Sequence, residues 1–188
     1  APEAERSMQV LDLGLLVLSA SEPVQSHTET LWRLTESYRL PCFIFVTKMD
    51  LPNAGREEII RQLQSRLSEN CVDFGLEREQ LMEHIALCDE GAMEEYLDSG
   101  EIGAKTIREL VAGRRLFPCF FGSGLKTQGV KELLEALDVY APEKEYGEDF
   151  AAKVYKIGAD PQGKRLSYVK ITGGSLKVRS PIKYRDEK

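Results

Sequence analysis

The chain has 188 residues, 42% hydrophobic and 30% charged, with 25 basic against 31 acidic side chains and a net charge of -6. That length holds one good core and the start of a second. Recurring apolar runs argue against disorder, and the acidic balance leaves nucleic acid only local patches to bind. The longest apolar run, Leu13 to Leu18, is far short of the roughly 20 residues of a membrane span. No basic-then-apolar segment opens the chain, so no signal peptide is visible, and no membrane partner is expected. Cys42, Cys71, Cys88 and Cys119 are widely spaced, without a CxxC or Cys/His pairing, which argues against structural zinc and for reduced thiols in a cytoplasmic setting.

In chain order, Pro2 to Leu11 reads as a short helix, and Leu13 to Leu18 as a strand covered on both faces. His27 to Arg39 reads as a helix with Leu31, Leu34 and Tyr38 inward. Cys42 to Val46 is a second buried strand, and Arg56 to Leu67 a helix with Ile59, Ile60, Leu63 and Leu67 on one stripe. Alternating strand and helix is the pattern of a parallel α/β sheet. From about 71 to 115 no strand-like run occurs. Glu77 to Cys88, Ala92 to Leu97 and Ala104 to Arg114 look helical, punctuated by Gly91, Gly100 and Gly103. This is an insertion longer than an ordinary α/β connection. Phe117 to Phe121 is a third apolar strand, followed by a helix from Gly129 to Tyr140. A charged linker spans 143–149. Beyond it the period becomes two, with Ala151 to Ile157 and Leu166 to Ile171 alternating about a turn. Gly173-Gly174 leads into a further strand, Leu176 to Arg179. The expected architecture is α/β over residues 1–142, then the first strands of an antiparallel β-barrel domain over 150–188.

Two loops carry the chemistry. Thr47-Lys48-Met49-Asp50 follows a buried strand, at the carboxyl end where open α/β sheets place ligands. It matches the N-K-x-D guanine pattern, with Thr in first place. Guanine presents N1–H and its N2 amino group side by side, and one carboxylate can accept from both. The Lys48 stem can lie along the base face, and the Thr47 hydroxyl can do part of the bracing that Asn usually does. The same tetrapeptide also fits an ordinary polar connection. The next strand runs into Gly122-Ser123-Gly124-Leu125-Lys126, which fits either a flexible turn or the S-A-[KL] loop whose second backbone N–H faces guanine O6. Together the loops nominate Thr47, Lys48, Asp50, Ser123, Gly124 and Leu125 for guanine, with Gly124 N–H as the O6 donor. Gly158 to Lys164 fits the phosphate-loop spacing, but Arg165 stands where Ser or Thr would be needed and Pro161 removes a donor. It reads as a hairpin turn. His27 reads as a surface or capping residue. Asp89-Glu90 and Glu94-Glu95 read as a solvated helix face. Lys153, Lys156, Lys164, Arg165, Lys170, Lys177, Arg179, Lys183 and Arg185 make the last segment basic. That is either ordinary strand polarity or a surface for RNA phosphates.

The order of motifs resembles the translational GTPases. Ala4 to Ser7, Val10 to Asp12, Val17 to Ala20, Val24-Gln25 and His27-Thr28 look like the stretch after the D-x-P-G-H motif of that family. Phe43 to Asp50, Val154 to Ile157 and Gly173 to Leu176 fit as well. The resemblance is greatest to the elongation factor G and tetracycline-resistance ribosomal protection branch, and the short insertion favours the latter. It implies GTP or GDP as ligand, the ribosome (rRNA and ribosomal proteins) as partner, and GTP hydrolysis in a parent protein. The phosphate loop, the Mg²⁺-holding switch and the D-x-P-G-H segment would precede Ala1, so the chain alone is expected to be inactive, with no catalytic residue or Mg²⁺ ligand of its own. The alternative is a non-catalytic ribosome-binding or assembly module. In such a fragment the strand Leu13 to Leu18 would become an open edge and invite self-association.

Overall fold

A computed structural model describes residues 2–52 and 54–182. In chain order its elements are α1 (Pro2–Met8), β1 (Gly14–Ser19), α2 (Ser26–Ser37), β2 (Cys42–Thr47), α3 (Arg56–Arg66), β3 (Cys71–Asp73), α4 (Arg78–Ala86), α5 (Glu90–Ser99), α6 (Ala104–Ala112), β4 (Phe117–Phe121), α7 (Val130–Tyr140), β5 (Ala151–Ala159) and β6 (Arg165–Gly173). They fall into two units, Leu11–Glu143 and, separately, Ala1–Val10 with Lys144–Lys188.

The larger unit is a parallel sheet in the order β1-β2-β4-β3. Strand β2 shows why the order works. Phe43 and Phe45 point into a core shared with Met82, Ile85, Ile107, Leu110, Phe120 and Leu133. Cys42, Ile44 and Val46 point into a second core with Trp32, Ile59, Leu63, Phe117 and Cys119. A central parallel strand buried on both faces needs apolar residues at every position, and Cys42 to Val46 supplies them. The four cysteines are free thiols. Burial pushes the Cys88 thiol up to about 12.

Several expectations are corrected. The stretch from 71 to 115 is not wholly helical, because Cys71–Asp73 forms β3 and closes the far side of the sheet against β4. Three residues are too few to show a period. On α2 the inward stripe is Thr28, Trp32 and Thr35, while Leu31, Leu34 and Tyr38 are only half-buried. The Thr35 hydroxyl donates to the Trp32 carbonyl at 2.7 Å, and Trp32 Nε1 donates to the Leu67 carbonyl at 3.0 Å. The polar atoms of that stripe are therefore satisfied in place. Strand β1 is an edge of the sheet, with Leu15 43% and Val17 57% exposed, so it is not covered on both faces.

In the smaller unit β5 and β6 pair antiparallel. The turn between them is held by Asp160, whose side chain accepts from the Gln162 and Lys164 N–H groups, each at 2.8 Å, with Gly163 at φ 81°. The phosphate-loop-like spacing is thus a hairpin turn. Residues 176–179 are not a strand. Lys183 and Arg185 lie outside the described residues. Among the described residues no helix is long and apolar enough to cross a membrane.

Candidate functional site

The sheet brings the two loops together by its register. Val46 and Phe121 are partners on adjacent parallel strands, so the chain leaves β2 and β4 side by side at their carboxyl ends. Backbone bonds then lace the loops. Gly122 N–H donates to the Val46 carbonyl and Met49 N–H to the Gly122 carbonyl, both at 2.9 Å. A Cβ on Gly122 would lie 1.9 Å from the Gln128 carbonyl oxygen, so only glycine lets the two segments approach this closely. Ser123 and Gln128 exchange backbone bonds at 3.0 and 3.1 Å and close the loop on itself.

Within this frame Thr47, Asp50, Ser123 and Gly124 converge. Ser123 is 1% exposed. Its Oγ accepts from the Lys126 N–H at 3.3 Å, which leaves the hydroxyl hydrogen for Asp50. That hydrogen bond is the main reason the Asp50 carboxyl is held below the usual range, and Lys126 adds to it. Lys126 Nζ lies 3.5 Å from Asp50 Oδ2, with the Asp50 side chain 19% exposed. Gly124 N–H donates to Thr47 Oγ1 at 3.1 Å. The N–H expected to face a ligand oxygen and the hydroxyl expected to brace the loop are therefore bonded to each other. Lys48 is exposed and sits at φ 65°, in the left-handed region. Leu125 is 91% exposed.

The sequence reading left Lys126 without a role and missed Arg56 and Asp73 altogether. The Arg56 guanidinium makes a two-pronged contact with the Asp73 carboxylate and lies 4.8 Å over the Phe121 ring. It thereby ties the start of α3 and the end of β3 to the last residue of β4, one step before Gly122. Nothing in the sequence pairs two residues 17 positions apart on separate elements. The acidic helix residues have local tasks. Asp89 caps α5 by accepting from the Gly91 and Ala92 N–H groups. Glu95 accepts from Gly103 N–H at 2.8 Å and from the Thr106 hydroxyl at 2.6 Å.

Residues 1–143 match the family model of the elongation factor Tu GTP binding domain. The chain belongs to that family. It is 30% identical to elongation factor G of Mycoplasma pneumoniae, over 96% of this chain and 36% of the relative. It is 27% identical to elongation factor G of Ureaplasma urealyticum serovar 10, over 93% of this chain and 35% of that protein. A crystal structure of a protein from Thermus thermophilus superposes with a TM-score of 0.75 at 24% identity, over 94% of this chain and 34% of the other, and shares its fold. The chain spans about a third of the length of these relatives. The donor set of the two loops does not suit Mg²⁺. It offers one carboxylate, already answered by a hydroxyl and an ammonium, where that ion asks for a near-octahedral oxygen shell.

Proposed function

We propose that Thr47, Lys48, Asp50, Ser123, Gly124 and Leu125 form the guanine-reading half of a GTP/GDP site in an elongation factor G-like translational GTPase. In this reading residues 1–142 are the later part of the GTPase domain, 143–149 a linker and 150–188 the first strands of a β-barrel domain. The observation that carries it is the side-by-side placement of an ionised acceptor, Asp50, and the Gly124 backbone donor on loops laced at 2.9 Å. Guanine matches that pair with N1–H and N2 donors beside the O6 acceptor. Adenine reverses the pattern at position 6, because its exocyclic amino group donates where guanine accepts, and it would leave both protein groups unmatched. The Lys48 stem and the Leu125 side chain offer apolar surface to the two faces of the base. The relatives named elongation factor G support the wider role, in which the whole protein engages the ribosome and hydrolyses GTP.

Within that family we place the chain in the ribosomal protection branch, where the work of hydrolysis dislodges tetracycline. The alignment with the Mycoplasma relative runs over 250 positions, longer than this chain, so that relative carries stretches this one lacks. The 188-residue polypeptide by itself is read as a weak nucleotide binder without hydrolysis. Its one stretch with phosphate-loop spacing is the β5–β6 turn, and phosphoryl transfer depends on cradled phosphates and an oriented water. Calorimetry with GDP and ADP tests the base assignment. A preference for GDP of about tenfold or more, equivalent to ~1.4 kcal/mol, is expected, and equal binding of the two would overturn it. A micromolar dissociation constant for GDP, or GTP turnover by this polypeptide, would overturn the weak, inactive reading.

A second reading rests on the hairpin, where Lys153, Lys156, Lys164 and Arg165 are exposed. In it the chain is a ribosome- or RNA-binding module without nucleotide chemistry. Co-sedimentation with ribosomes across a salt series decides it. Binding that weakens steeply with salt is expected, and salt-insensitive or absent binding rules it out.

A further inference from the structure

Both groups that would read the base are occupied by this chain's own side chains. The Gly124 N–H is bonded to Thr47 Oγ1 at 3.1 Å, and the Asp50 carboxylate faces Lys126 Nζ at 3.5 Å. Resting on the guanine reading above, we propose that the base site is self-engaged. Thr47 and Lys126 stand in for guanine O6 and for its N1–H and N2 donors, and a base must displace both to bind.

The stand-ins match guanine in kind. Thr47 Oγ1 is an acceptor where O6 is an acceptor. The Lys126 ammonium is a multiple donor where N1–H and N2–H₂ are a pair of donors. The covering groups come from the loops themselves, with Thr47 the last residue of β2 and Lys126 midway along the β4–α7 loop. The cluster therefore closes without distorting the backbone bonds that lace the loops. Thr is what makes this possible at position 47. Its short side chain carries a single hydroxyl, whose oxygen reaches the Gly124 N–H from the end of β2. Displacing one neutral hydrogen bond is worth about two- to tenfold in affinity. An exposed ion pair is worth about two- to fivefold and weakens with salt.

A brace and a cover differ in the sign of what their removal does. The test is titration of the isotope-labelled 188-residue protein with guanosine, inosine and adenosine, following the Gly124 amide by NMR. Nucleosides carry no phosphate, so salt acts on the protein alone. Thr47→Val keeps the shape of the side chain and removes the hydroxyl. It should tighten guanosine and inosine alike, about two- to tenfold, because both carry O6. Thr47→Ser keeps the hydroxyl, so the tightening seen with Thr47→Val should not appear. Lys126→Met should tighten guanosine about two- to fivefold and inosine less, since inosine lacks the N2 donor. Raising salt should tighten guanosine binding in the parent and not in Lys126→Met. Unchanged or weaker guanosine binding in Thr47→Val and Lys126→Met, with guanosine still preferred over adenosine, overturns the self-engaged site and leaves the guanine reading standing. The absence of any preference for guanosine over adenosine in every one of these proteins overturns the guanine reading itself.

Discussion

Asp50 is the residue on which the account turns, and its environment makes a pH prediction. The Ser123 hydroxyl is the largest influence lowering its pKa, with the Lys126 charge a smaller one. A carboxyl whose folded value is depressed contributes above the ordinary range near pH ~3.9, and that contribution is lost as pH falls through the lowered value. Preference for guanine should therefore persist below pH ~4, where an unperturbed carboxylate would already be protonating. Carbon NMR titration checks the order of the two causes. Ser123→Ala should raise the Asp50 midpoint more than Lys126→Met does, and the reverse order would misplace the hydroxyl. Lys48 makes a second residue-scale case. A non-glycine residue at φ 65° carries left-handed backbone strain of about 1–2 kcal/mol. Lys48→Gly should stabilise the fold by up to ~1 kcal/mol in chemical denaturation, after glycine's own entropy cost, while weakening base binding by loss of the stem.

Elements show why some of the molecule was legible beforehand and some was not. Strands β2 and β4 announce themselves as apolar runs because a parallel strand covered on both faces is apolar throughout, and β1 reads the same way although Leu15 and Val17 are exposed. Strand β3 is three residues long and carries the buried Asp73, so it shows neither length nor hydrophobicity. The Leu176 to Arg179 alternation looks like a strand, but alternation makes one only when a neighbour pairs with it, and among the described residues none does. Asp73 is buried against Arg56, whose side chain is 42% exposed. Arg56→Ala leaves that carboxylate without its partner. Because the arginine is partly solvated, the expected loss is about 2–3 kcal/mol, below the ~3–5 of a fully buried pair, measured by urea denaturation. Base binding should fall with it, since Phe121 and the Gly122 turn lose their support. The β1 edge is the other element-scale liability. Leu15 and Val17 are exposed on a strand with one open side, a template for pairing with a second copy. Light scattering should show concentration-dependent association that Val17→Lys reduces, and a monodisperse parent at high concentration would contradict this.

At the scale of the whole molecule, the sheet acts as a device for setting two loops next to each other. Thr47 and Gly124 are 77 residues apart, and only the β2–β4 register puts them in hydrogen-bonding reach. The loop motifs could be read in the sequence because they are short and contiguous. The bond between them could not, since it depends on strand order and on where each loop turns. The same holds for Lys126, which looks like a solvated loop lysine until Asp50 is placed beside it. The acidic net charge likewise averages over an α/β unit and a basic hairpin, and it describes neither.

In the proposed site Asp50 reads the base through a pair of guanine donors. Asparagine keeps the shape of that side chain and replaces one acceptor with a donor, which suits xanthine, where a carbonyl takes the place of the N2 amino group. The direct measurement is competition between GDP and XDP for the parent and for Asp50→Asn. The parent should prefer guanine and Asp50→Asn should shift that preference toward xanthine, whereas a base preference unchanged by the substitution would remove Asp50 from base reading.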